Sequence, residues 1–289
     1  MSDDKLENFK MWNDISLEEL SKEERKKTLD LINRNDPFKK ELIDNSWSSH
    51  PDSLSDMIKY QNWFDKCDSI DSCIRKGIID FHTRILPYPY YSVLGDPRDK
   101  VSLEIGYGGG RLISAASQIF NTSIGIDILQ EESVKMTRKF LEMSGAKSFK
   151  LIDYSQIDEI KDSSIDFVYS FIVFQHFSTI DYFHSYMKLI KRTLKTGGMG
   201  TIFFGIPSPS ASPLFIETLM ENGYRHWHDE FQHGDCVSTL YFDPNWAERQ
   251  IRDVYNLTPL QVDRWPKQPW SPDQNLSSQF FITFKNGEI

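Results

Sequence analysis

Val101-Ser-Leu-Glu-Ile-Gly-Tyr-Gly-Gly-Gly-Arg-Leu112 decides the fold of this 289-residue chain. Its first five residues form an apolar run short enough to be a buried strand. Glycines then stand at 106, 108, 109 and 110, and an amphipathic segment resumes at Arg111 and runs to about Phe120. Strand, glycine turn and helix in that order bring a nucleotide-like ligand against bare backbone at a helix N-terminus. The spacing narrows the ligand. A dinucleotide fingerprint needs its third glycine where Arg111 stands. A phosphate-cradling P-loop needs Gly-Lys-Ser/Thr, which is absent.

What remains, Glu104-x-Gly106-x-Gly108-x-Gly110, resembles motif I of the class I S-adenosylmethionine (SAM)-dependent methyltransferases. That ligand has no phosphate, so it asks the turn for backbone room more than for an anion cradle. The flanking segments continue the resemblance. Ser123–Ile128 reads as strand two, and Asp127 lies 21 positions beyond Gly106. An acid there accepts hydrogen bonds from ribose hydroxyls, and its two oxygens suit a vicinal diol. A helix cap is the competing role. Glu131–Met143 reads as a helix with Ser144-Gly145 as its stop. Strand three, Phe149–Ile152, leads into Asp153-Tyr154, which the resemblance places beside the adenine. Ile165–Phe171 resembles motif IV, and its carboxyl end lies next to strand one at the topological switch point. The Leu194-Lys-Thr-Gly-Gly198 step also resembles the family, and its Lys195–Gly198 part reads as a turn before strand five, Met199–Phe204. The cofactor residues so implied are Glu104, Gly106, Tyr107, Gly108, Gly110, Asp127, Ile128, Asp153, Tyr154, Ser170 and Phe171.

Strand four is expected to continue into Val173-Phe-Gln-His-Phe177. Many small-molecule methyltransferases carry a similar Gln-His or Glu-His pair there. His176 is therefore the first candidate for a general base, against the simpler role of holding its loop by hydrogen bonds. Asp181–Leu194 is a helix with one apolar side. Residues 205–242 read as an insertion after strand five. Within it Tyr224–His233 is dense in aromatic and titratable groups, and His233 is the second base candidate. His226, His228 and His233 lack the His-Glu-x-x-His spacing, so no metal is expected. Asp243-Pro244 starts a helix, and Leu260–Val262 and Gln279–Lys285 read as the last two strands. The implied fold is a doubly wound α/β sheet of seven mainly parallel strands, order 3-2-1-4-5-7-6, the last antiparallel. Residues 1–98 form a helical extension and 99–289 the SAM-binding domain. Met57, Tyr60, Trp63, Phe64, Ile70, Ile74, Ile78, Ile79 and Phe81 fall near helical spacing over 53–86, either packed on the main domain or as a lid. With the insertion, that segment is expected to roof the acceptor site.

Composition removes other classes. The formal charge is −9, whereas a general nucleic-acid binder is basic. No apolar run reaches membrane-spanning length, and Met-Ser-Asp-Asp-Lys has no signal-peptide core. Cys67, Cys73 and Cys236 form no metal or redox pattern, so reduced thiols and a cytoplasmic place are expected. Ser170-Phe-Ile-Val173 stands where nucleobase and glutamine methylation need Asn/Asp-Pro-Pro-aromatic. The expected activity is methyl transfer from SAM to a small-molecule acceptor, at a hydroxyl with a histidine base. N-methylation of a small amine and a non-catalytic SAM-binding partner subunit are the alternatives. Homodimerisation is left open.

Overall fold

The computed structural model describes residues 56–87, 90–177, 179–207, 213–226, 240–266 and 276–287. At its centre β1 (Val101–Ile105) has a parallel neighbour on each side. These are β2 (Thr122–Asp127) and β4 (Ile165–Ser170). Beyond them, also parallel, lie β3 (Phe149–Asp153) and β5 (Leu194–Gly205). With β8 (Thr258–Pro266) and β9 (Leu276–Lys285) the order is β3-β2-β1-β4-β5-β9-β8, the last strand antiparallel. This is the expected order, the expected strands six and seven being β8 and β9. β6 (Tyr224–His226) and β7 (Leu240–Phe242) form a separate antiparallel pair within 205–242, which the sequence pattern did not suggest.

β4 is buried along its whole length, as a central parallel strand should be. It stops at Ser170 instead of continuing. Ile172 takes a left-handed backbone, φ 60°, which is rare for a β-branched residue. Phe174–His176 then forms a 3-10 turn. The expected turn at 195–198 is instead drawn into β5. Gly197 N–H donates to the Asn286 carbonyl at 2.6 Å and Asn286 N–H returns to the Gly198 carbonyl at 2.8 Å, so the end of the chain captures it.

The expected helical region over 53–86 is, from residue 56, two helices and a π turn. In α1 (Met57–Asp65) the Asp56 carboxylate caps the first turn, accepting from Ile58 and Lys59 N–H. It ends at Lys66, whose φ is 53°. In α2 (Ile70–Asp80) a Ser69–Ser72 capping box opens the helix, and a π turn, Phe81–Ile85, extends it. Its buried stripe is Cys73, Gly77 and Asp80, at helical spacing. Ile78 and Ile79 are 42% and 59% exposed, contrary to the face expected from apolar residues alone. A short helix, α3 (Tyr90–Val93), follows.

The described chain divides into two compact units, one of residues 56–171, 188–202 and 285–287, the other of 172–187 and 203–284. The first has a ring lattice of Phe81, Tyr90, Phe120, Phe167 and Tyr169. Phe120 stacks on Phe167 at 5.9 Å, while Phe81 and Tyr90 meet their neighbours edge-on. The second is centred on Phe183, Phe204, Phe242 and Trp246.

Candidate functional site

Between β1 and α4 (Arg111–Ile119) the chain turns through Gly106–Gly110. Gly108 and Gly110 have φ of 47° and 90°, a region closed to most side chains by their Cβ. Gly110 N–H closes the turn on the Tyr107 carbonyl at 2.8 Å, and Gly106 N–H ties it to the Ile126 carbonyl on β2 at 2.8 Å.

The sheet register sets two acids beside this turn. Ile105 pairs with Ile126, and Asp127 with Asp153, so the carboxylates sit at the carboxyl ends of adjacent strands. Asp127 accepts Gly108 N–H on Oδ2 and Ile128 N–H on Oδ1, both at 2.7 Å. Each oxygen keeps a lone pair for a further donor. Burial pushes the Asp127 carboxyl up to about 6; the two N–H donors pull it down and the Asp153 charge pushes it up. Desolvation therefore outweighs the hydrogen bonds. Asp153 accepts from Ser155 N–H and Oγ–H and caps the 3-10 turn Tyr154–Glu159, in which Tyr154 is buried.

Other expected cofactor residues have their side chains turned to protein. Glu104 is buried and accepts the Tyr169 hydroxyl at 3.0 Å. Burial holds its carboxyl well above the usual range. Ser170 Oγ donates to the Ile105 carbonyl at 2.9 Å and so fixes β4 against the end of β1. The Tyr107 ring enters a core cluster with Cys67, Cys73, Ile113 and Phe140. Phe171 lies under the Arg111 and Arg84 guanidinium groups, at 5.4 and 5.8 Å from its ring centre.

His176 ends the 3-10 turn after β4, its Nε2 3.3 Å from Gln175 Nε2. Burial lowers its pKa to about 4, so the imidazole is neutral at neutral pH. His233 lies outside the described residues, as does most of Tyr224–His233. Among the described residues no group of three His, Cys, Asp or Glu could hold a metal, and no helix is long and apolar enough to cross a membrane.

Sequence reasoning missed the residues that grip the turn from behind. Gln61 Nε2 donates to the Gly109 carbonyl at 2.8 Å. Thr137 Oγ1, on α5 (Glu131–Met143), donates to the Gly108 carbonyl at 2.7 Å. Phe64 is so close that a Cβ on Gly108 would lie 2.9 Å from its ring. Arg111 is ion-paired with Asp65 and, at 2.6 Å, with Asp80. A signal was present: an arginine at the first position of a helix opposes the helix dipole. Such a residue needs anionic partners, and Asp65 and Asp80 were the acids available on neighbouring helices.

Residues 103–202 match the family model described as a methyltransferase domain. That stretch is thus similar to a methyltransferase domain, and the sheet has the Rossmann-like methyltransferase fold. The matched stretch holds the glycine turn, the carboxyl ends of β2 and β3 and all of β4; α1 and α2 lie outside it. Solved structures share the fold. A SAM-dependent methyltransferase from Methanosarcina mazei superposes with a TM-score of 0.52 at 16% identity, over 71% of this chain and 99% of that one. The N-methyltransferase NodS from Bradyrhizobium japonicum, in complex with S-adenosylhomocysteine (SAH), gives 0.50 at 13%, over 85% and 100%. A protein from Pyrococcus horikoshii gives 0.50 at 13%, over 78% and 96%. No curated protein matches the chain.

Proposed function

We propose that the domain transfers the SAM methyl group to a hydroxyl of a small molecule in the cytoplasm, with His176 as general base. In this reading Asp127 takes the ribose diol, the Gly106–Gly110 turn takes the methionine end, and Asp153 and Tyr154 border the adenine. The acceptor oxygen attacks the methyl carbon, the carbon–sulfur bond breaks, SAH leaves, and the hydroxyl proton passes to the imidazole. Alignment of donor and acceptor supplies much of the rate. The net charge of −9 supports a small-molecule acceptor over nucleic acid, and buried free Cys67 and Cys73 fit a reducing compartment.

The observation that carries the base assignment is the neutral state of His176, which leaves it able to accept a proton at physiological pH. The same observation supports a second reading. A base whose conjugate acid has a pKa near 4 gives little driving force against an unactivated alcohol. It suits an acidic hydroxyl, or a neutral amine that needs no base to attack. Methyl-labelled SAM offered to matched panels of phenols, alcohols and amines distinguishes these. Label in phenols supports His176 as base, label in amines favours the second reading, and SAH binding with no label transferred to any panel favours a non-catalytic subunit.

A further inference from the structure

The glycine turn is held by helices that precede the methyltransferase domain. Gln61 is fully buried and bonded at both ends of its amide. Its Nε2 donates to the Gly109 carbonyl at 2.8 Å, and its Oε1 accepts the Cys73 thiol at 3.0 Å. The thiol thus fixes which way the amide faces, and the amide fixes the turn. One residue past the turn, Arg111 is locked between Asp65 of α1 and Asp80 of α2. Burial alone would oppose its charge, but these two carboxylates outweigh it and hold its pKa above the ordinary value. α2 approaches so closely that a Cβ on Gly77 would lie 2.3 Å from the Arg111 carbonyl oxygen. The backbone at 109 and the side chain at 111 are therefore both anchored to the 57–80 helices.

We propose that Gln61, with the Asp65–Arg111–Asp80 cluster behind it, is a positioning residue for the cofactor turn, so that α1 and α2 are a working half of the SAM site. This rests on SAM occupying the glycine turn. It differs from a lid, which closes over bound ligand: here the helices set the shape of the turn before ligand arrives. A turn released from Gln61 spends less time in the shape that fits the cofactor, and affinity falls by that fraction. Chemistry in the filled site is expected to stay the same, because both ends of the fully buried Gln61 amide are taken up by the Gly109 carbonyl and the Cys73 thiol.

The test uses the full chain and SAH as probe. Gln61→Met keeps the length and apolar volume but removes both amide bonds. The expected result is a SAH Kd raised tenfold or more by calorimetry. Amide exchange at 109–112 should be faster in the ligand-free variant, and the change should be smaller once SAH is bound. KM for SAM should rise with kcat near wild type. Gln61→Glu, which turns a carboxylate oxygen toward the Gly109 carbonyl, should be at least as weak. If Gln61→Met does not fold, Cys73→Ala serves: it frees the amide to flip and should raise Kd severalfold. Wild-type Kd and exchange in a folded variant would overturn the proposal and leave SAM binding intact. A wild-type protein that fails to bind SAH would remove the cofactor assignment and this proposal with it.

Discussion

With Asp127 as the ribose acceptor, as proposed above, SAH binding has a pH dependence that can be worked out in advance. A ribose diol donates two hydrogen bonds, so it needs the ionised carboxylate as acceptor. In the ligand-free protein burial holds this carboxyl at about 6, against 3.8 for an ordinary aspartate. Binding must therefore expel a proton below pH 6. At pH 5 about one molecule in ten is ionised, so the SAH Kd should be about tenfold weaker than its plateau, and about a hundredfold weaker at pH 4. Stability runs the other way. Because the folded pKa is raised, the contribution of Asp127 to stability is complete below pH 3.8 and is lost as pH rises through 6. The assay is calorimetry with SAH from pH 5 to 8, with circular dichroism to show the protein folded at each point. Asp127→Asn should bind weakly and with a flat profile from pH 5 to 7, and leaves one of the Gly108 and Ile128 N–H groups facing an amide hydrogen. A wild-type profile flat from pH 5 to 7, or an Asn variant with unchanged affinity, would refute the reasoning.

Two further outcomes follow from close contacts and from charge. Gly77→Ala should destabilise the protein in urea although helix propensity alone favours alanine by about 1 kcal/mol. The new Cβ would meet the Arg111 carbonyl oxygen at 2.3 Å, a backbone atom that cannot swing aside, and overpacking of that kind costs about 1–3 kcal/mol; a stabilised variant would contradict this contact. His176→Gln should lower kcat by about a hundredfold or more while leaving the SAH Kd unchanged, with partial recovery at high pH where an acidic hydroxyl ionises unaided; unchanged turnover would move the base elsewhere.

The sheet was legible because its signals are local. Each strand from β1 to β4 is a short apolar run followed by a punctuating residue, and the glycine turn and Asp127 sit at fixed distances from one another. The grip on the turn was not legible, because it depends on distant partners. Gln61 and Gly109 are 48 residues apart, and nothing in the helical periodicity of 57–65 marks a glutamine as buried. The exposed Ile78 and Ile79 show the same limit. An apolar count places Ile70 and Ile74 correctly against the core but misplaces the end of α2, where the interface needs a glycine for clearance and an aspartate for Arg111. The end of β4 was missed for a third reason. Ile172 takes a backbone conformation that its type disfavours, and propensity cannot anticipate a conformation that surrounding structure imposes. Of the two base candidates, His176 has a described environment and His233 has none.

The most direct test of the SAM site is a crystal structure of the protein with SAH bound. The expected result is SAH along the carboxyl ends of β1 and β2, its ribose hydroxyls within hydrogen-bond distance of both Asp127 oxygens and its adenine beside Asp153 and Tyr154. SAH bound away from the Gly106–Gly110 turn, with Asp127 still holding only Gly108 and Ile128 N–H, would contradict it.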